Sequence, residues 1–127
     1  MALNILGVEL DFDFTSPDDI MRYRAAMDRM PGIDIKRLSN SRAAFDDADS
    51  FTAYVKALKD ILRNFSVFLD EAFGEGTSDK LIGNKPSLRK VIEIQDAINV
   101  GAEAQNKTLE AHYAKYAPNR AGRSGKK

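Results

Sequence analysis

The sequence predicts a mainly α protein: a bundle of about three long helices with a small N-terminal β-hairpin. Three observations predict it. Apolar residues recur at spacings of three or four through two long stretches, 45–69 and 88–116. A shorter stretch opens on Ser16-Pro17-Asp18-Asp19, a helix-start signature. Only residues before Thr15 alternate with the period of a strand. The chain of 127 residues, 43% of them apolar, is long enough for one core. It reads as a single helical domain over 1–118, with its hairpin at 2–14 and a flexible tail over 119–127.

In the hairpin, Leu3 and Ile5 precede Gly7, after which Val8, Leu10, Phe12 and Phe14 alternate with Glu9, Asp11 and Asp13. One face is therefore apolar and the other acidic, and a turn at Leu6-Gly7 joins the two strands. Such a hairpin is marginal alone, so it must pack on a helix or pair with another strand. In the first helix Ser16 caps, Pro17 suits the first helical position and Asp19 is placed to reach back to the cap. Ile20, Tyr23, Met27 and Met30 share a face, and Met30-Pro31-Gly32 stops the helix.

Residues 33–50 are the least legible, because Ser39-Asn40-Ser41 interrupts the spacing of Ile35 and Leu38. Beyond them Phe45, Ala48, Phe51, Val55, Leu58, Leu62, Phe65 and Leu69 mark a long amphipathic helix. Its start is open between Arg42 and a fresh cap at Asp49 or Ser50; its end is Phe73-Gly74, with Gly74 free to adopt a left-handed C-cap. Thr77 offers a cap for a short turn through Leu81-Ile82, and Gly83-Asn84-Lys85-Pro86 breaks the chain again. Leu88, Val91, Gln95, Ile98, Ala102, Gln105, Leu109, His112 and Tyr116 then trace the last helix. Its stripe weakens toward the end, as suits a helix that projects from the core or meets another subunit. The expected core is Leu10, Phe12, Ile20, Tyr23, Met27, Phe51, Val55, Leu58, Leu62, Phe65, Leu69, Leu88, Val91, Ile92 and Ile98.

Composition narrows the chemistry. Nineteen Lys plus Arg balance 19 Asp plus Glu, so no net field draws the chain to a polyanion. With no Cys there is no thiol catalysis and no thiolate metal site, and one His leaves little scope for imidazole chemistry. No apolar run reaches the length that spans a bilayer, and Met1 to Leu6 lacks the basic start of a signal peptide, so the expectation is a soluble intracellular protein without membrane partners. Gly74-Glu75-Gly76-Thr77-Ser78-Asp79 and Gly83-Asn84-Lys85-Pro86-Ser87 fall short of phosphate-binding loops and read as helix punctuation. Asp11 and Asp13 share a strand face and read as solvated rather than as a cation site. His112 lacks carboxylates at ligand spacing. No catalytic residue, cofactor or metal is therefore expected, and the protein reads as a non-enzyme.

Charge is unevenly distributed. Residues 1–19 hold five acids and no base, whereas the tail carries Arg120, Arg123, Lys126 and Lys127. A basic arm of this kind contacts phosphates in a salt-sensitive way. No basic helical face accompanies it, which disfavours nucleic acid as a partner. The aromatic run Phe65, Phe68 and Phe73 reads either as core or as docking surface, since its face is too wide for one neighbouring helix.

The segment from Asn64 to Gly83, with its Phe73-Gly74-Glu75-Gly76-Thr77 turn between two helices, resembles a family of small tail assembly chaperones of long-tailed phages and prophages of Gram-positive bacteria. The hairpin Ile5 to Phe14 also resembles the start of such proteins. The resemblance implies a non-catalytic protein of the bacterial host cytoplasm that binds the tape measure protein, tail tube subunits or both during tail morphogenesis. An amphipathic groove would shield a tape measure helix, and a hairpin edge would add strands to a tube subunit. The residues assigned to these contacts are Phe65, Phe68 and Phe73 on the helix, with Val8, Leu10 and Phe12 on the hairpin. A second copy of the chain is a further candidate partner. Two alternatives stay open: a structural adaptor of the particle, at the head-tail joint or tail end, and a nucleic-acid-associated regulator working through the basic arm.

Overall fold

A computed structural model describes residues 2–31 and 45–116. Within them the order is β1 (Ala2–Ile5), β2 (Val8–Asp11), α1 (Pro17–Arg29), α2 (Ala48–Phe73), α3 (Thr77–Ile82) and α4 (Leu88–Tyr116). The protein is mainly helical with a two-stranded antiparallel hairpin, as the periodicities predict. The basic tail and most of the 33–50 segment lie outside the described residues.

The hairpin pairs Leu3 with Leu10 and Ile5 with Val8. Leu6 and Gly7 both have positive φ, 50° and 85°, as a tight two-residue turn requires, and Asn4 Oδ1 accepts from the Gly7 amide at 3.0 Å. Leu3, Ile5, Leu10 and Phe12 are buried, while Asn4, Glu9 and Asp11 face solvent. The ladder ends at Asp11 rather than continuing to Phe14. Beyond it the backbone bonds elsewhere: the Asp13 amide donates to Asp19 Oδ2 at 2.8 Å, and the Phe14 amide to Gln105 Oε1 at 2.7 Å. Asp19 thus reaches past the Ser16 cap to hold the incoming chain, a longer reach than a capping box.

α1 starts at Pro17 and ends at Met30 as its signals predict, but its buried face is rotated. Ala26 is buried, Tyr23 and Met30 pack against the core, and Ile20 and Met27 are exposed, contrary to expectation. The reason is an antiparallel approach to α2 so close that the small Ala26 takes the contact. Arg22 Nε donates to the Ala72 carbonyl at 2.9 Å, and Arg29 pairs with Glu71.

α2 begins at Ala48, between the two expected starts, because Asp47 is the cap: its carboxylate accepts from the Ser50 amide at 2.7 Å and the Ser50 hydroxyl at 2.9 Å. At the other end Gly74 has φ 119° and ψ 153°, so it is Gly76, at φ 89° and ψ −7°, that takes the left-handed conformation. Thr77 is the first residue of α3 rather than its cap, and its hydroxyl donates to the Gly74 carbonyl at 2.7 Å. Asp70 of α2 serves α3 instead, accepting from the Ser78 amide at 2.8 Å and its hydroxyl at 3.1 Å. The Phe-Gly-Glu-Gly-Thr turn is thereby a fixed joint.

α4 lies along β1 and carries the hairpin. Val91, Ile94 and Ile98 are buried, whereas Ile92, expected in the core, is exposed. Gly101 lets Leu3 sit directly against the helix backbone, where a Cβ would collide with the Leu3 side chain. The core is completed by an edge-to-face aromatic group: the Phe12 ring lies 4.8 Å from Phe73 and 4.7 Å from Phe14, and Tyr23 lies 5.5 Å from Phe68.

Candidate functional site

The residues assigned to partner contacts fall mostly inside the protein. Phe65, Phe68, Phe73, Leu10 and Phe12 are all buried, and Val8 is half-buried against the same core. This corrects the docking role given to the aromatic run and to the hairpin's apolar face. The face is indeed too wide for one helix, and several elements cover it: Tyr23 of α1 packs on Phe68 and Phe73, Phe12 beyond β2 packs on Phe73, and α4 closes the remainder. Arg120, Arg123, Lys126 and Lys127 lie outside the described residues.

Apolar surface is exposed elsewhere, on parts of the two long helices that extend past the core. No residue of α2 before Leu62 belongs to or packs on the core cluster, and no residue of α4 from Asn106 to Ala114 is buried. On α2, Phe51 is 44% exposed and stacks near Phe45, ring centroids 5.6 Å apart. Phe51, Thr52, Val55, Lys56 and Lys59 line an open groove of about 300 Å³, apolar along its floor and cationic along one rim. On α4, Leu109 and Tyr113 are 44% and 64% exposed and lie one turn apart on one face. A second groove of about 290 Å³ runs beside them, lined by Thr15, Gln105, Thr108, Leu109 and His112.

Gln105 separates that groove from the core. It is 3% exposed, and its side-chain amide donates to the Phe12 carbonyl at 2.8 Å and the Ala2 carbonyl at 3.3 Å while its oxygen accepts from Phe14. One side chain thus satisfies both ends of the hairpin. Read from the sequence it is merely a polar residue on a weakening stripe; the signal was its place on the buried side of that stripe.

Electrostatics around these surfaces is local. Hydrogen bonds from the Thr15 hydroxyl and amide hold the Asp13 carboxyl below its ordinary range, and the Ser50 amide and hydroxyl do the same for Asp47. Burial pushes the Tyr23 phenol up. Asp13 lies past the end of β2 and is engaged by Thr15. Among the described residues no three His, Asp or Glu side chains converge as a metal site. No helix there is long and apolar enough to cross a membrane. What the geometry offers is apolar grooves along helix faces, suited to receive another helix.

The period that runs through Leu62, Phe65 and Leu69 runs through Phe51 unchanged and predicts it in the core, whereas the structure leaves it exposed. α1 packs only on the last third of α2, with Met30 and Pro31 beside Asn64 and Val67. Comparison with known proteins finds no match among curated proteins and none among solved structures. The model of a family of unknown function, DUF6673, matches residues 6–127, and the chain belongs to that family.

Proposed function

We propose that this protein is a non-catalytic tail assembly chaperone, which acts in the cytoplasm of a bacterial host on the tape measure protein and tail tube subunits of a long-tailed phage. The observation that carries this reading is the distribution of apolar surface among the described residues: it lies along exposed lengths of two long helices. The resemblance of Asn64 to Gly83 to such chaperones supports it. The tape measure chain is long, helical and partly apolar. The face of α4 bearing Leu109 and Tyr113, with the groove beside Gln105, shields one of its helices, and the unpaired edge of the hairpin is open to a strand of a tube subunit.

The test is a pull-down of the tagged chain from cells producing the phage, with mass spectrometry of bound proteins and a blot of finished particles. Tape measure or tube protein in the pull-down, with this chain absent from particles, is the expected outcome. Leu109→Asp with Tyr113→Asp lowers capture of tape measure at least about tenfold while leaving the helix content unchanged, because both side chains are exposed. A stoichiometric band in purified particles overturns the chaperone in favour of a structural adaptor. Salt-sensitive nucleic-acid binding that disappears on deletion of 119–127 overturns it in favour of the basic arm.

A further inference from the structure

The hairpin turn follows the rules of its type except at one residue. Leu6 and Gly7 both have positive φ, which gives the two-residue turn that matches the twist of paired strands and takes Asn, Asp or Gly at its first position. Gly7 suits the second position, and Asn4 Oδ1 accepts from its amide at 3.0 Å. Leu6, at φ 50°, instead brings a Cβ close to the following carbonyl oxygen. Among the described residues every other position of positive φ is a glycine.

Nothing in the described core offsets that strain. The Leu6 side chain is 51% exposed, and it neither belongs to the core nor packs against it. Other exposed apolar residues have a local reason to be where they are: Met21 and Leu109 lie in α1 and α4, and both residue types favour a helix whatever they touch. Leu6 is disfavoured twice, by its backbone conformation and by its exposure. A local rule broken without a gain inside the fold points to a use outside it. The surroundings say what kind of surface Leu6 meets. Glu9 and Asp11 face solvent along β2, and no Lys or Arg occurs in the chain before Arg22. A pocket that takes Leu6 is therefore apolar within and basic at its rim.

We propose that Leu6 is an anchor at the tip of the hairpin, held against the chemistry of its turn because its side chain enters an apolar, basic-rimmed pocket on a protein partner. Under the chaperone reading that partner is the tail tube subunit, and the inference rests on that reading for the identity of the partner alone.

Thermal unfolding of the purified full chain, set beside its capture of purified tube subunit, tests it. Leu6→Asn suits the left-handed position, so it raises the unfolding midpoint by about 2–5 °C. It lowers capture about tenfold, the effect of losing one buried Leu side chain. Leu6→Ala keeps the strain and removes the anchor, so the midpoint stays within about 1 °C while capture falls as far. Glu9→Lys weakens capture about threefold by facing the basic rim with a base. An unchanged or lower midpoint for Leu6→Asn overturns the proposal, because the turn then holds no strain to explain. So does a midpoint that falls in Leu6→Ala, since the side chain is then used within this chain. Capture by either Leu6 variant equal to that of the wild type overturns the anchor and leaves the chaperone reading standing. Glu9→Lys binding as tightly as the wild type overturns the basic rim. A wild type that captures no tube subunit overturns the partner named here and, where tape measure is not captured either, the chaperone reading itself.

Discussion

The two halves of α2 share one period and have opposite fates. Phe65, Phe68, Leu69, Ala72 and Phe73 are buried between α1, the hairpin and α4, whereas Phe51 on the same seam is 44% exposed. α4 repeats the contrast in reverse, with Val91, Ile94 and Ile98 buried near its start and Leu109 and Tyr113 open beyond Gln105. Hydrophobic periodicity reports that a face exists. What covers it is set by the neighbouring elements, and among the described residues those neighbours stop short of both long helices.

The largest effect expected from that contrast comes from equal truncations on the two halves of α2. Phe68→Ala removes a fully buried ring that packs on Tyr23, Phe65 and Phe73, and should lower the unfolding free energy by about 3–5 kcal/mol. Against a total of about 5–15 kcal/mol for an ordinary domain, that is a large share. Phe51→Ala should cost less than about 1 kcal/mol, because its ring leaves no cavity. Urea unfolding of the two variants against the wild type measures both. Equal losses would mean that the two halves are supported alike, and the contrast would fail.

A smaller effect is expected at the boundary on α4. Gln105→Leu keeps the volume and removes three hydrogen bonds, leaving the Phe14 amide and the Phe12 and Ala2 carbonyls short of partners. The expected loss is about 2–3 kcal/mol. Faster amide exchange in β1 and β2 should accompany it, with α2 unaffected. Substitution of Leu109, one turn further along, should leave stability unchanged, which would place the edge of the core between these two residues.

These contrasts also explain what was legible in the sequence. Alternation around Gly7 located the hairpin, and Ser16-Pro17 and Met30-Pro31 bounded α1, because local rules with short range decide such features. The Phe73-Gly74 stop and the break at Gly83 were legible for the same reason. The start of α2 was not: Asp47, Asp49 and Ser50 are all competent caps, and the choice depends on which side chain meets the Ser50 amide. Nor was the inward face of α1, where close approach to α2 selected Ala26 over Ile20 and Met27. The candidate site was the least legible part. Phe65, Phe68 and Phe73 are as apolar as any docking residue, and only the convergence of Phe12 and Tyr23 on them makes them core.

The smallest expected effect concerns how the open half of α2 is held at all. Among the described residues no other helix or strand covers its apolar face, and its first turn is held by Asp47, whose carboxylate accepts from Ser50 and whose carbonyl accepts from the Phe51 amide at 3.1 Å. The backbone hydrogen bond from Ser50, followed by its hydroxyl, holds this carboxyl below its ordinary range, so the folded state favours the charged form. The contribution is therefore complete above the unfolded value, near about pH 4, and is lost as pH falls through the lower folded value. Asp47→Asn keeps a good cap without a titrating group. Near neutral pH the two proteins should match, and on acidification only the wild type should lose protection at the first amides of α2. The amides of Phe65 to Phe73 should stay protected in both, because their half opens only with the whole domain. Loss of protection along all of α2 at once would show that its two halves unfold as one unit, and that exposed and buried lengths of the seam are energetically continuous.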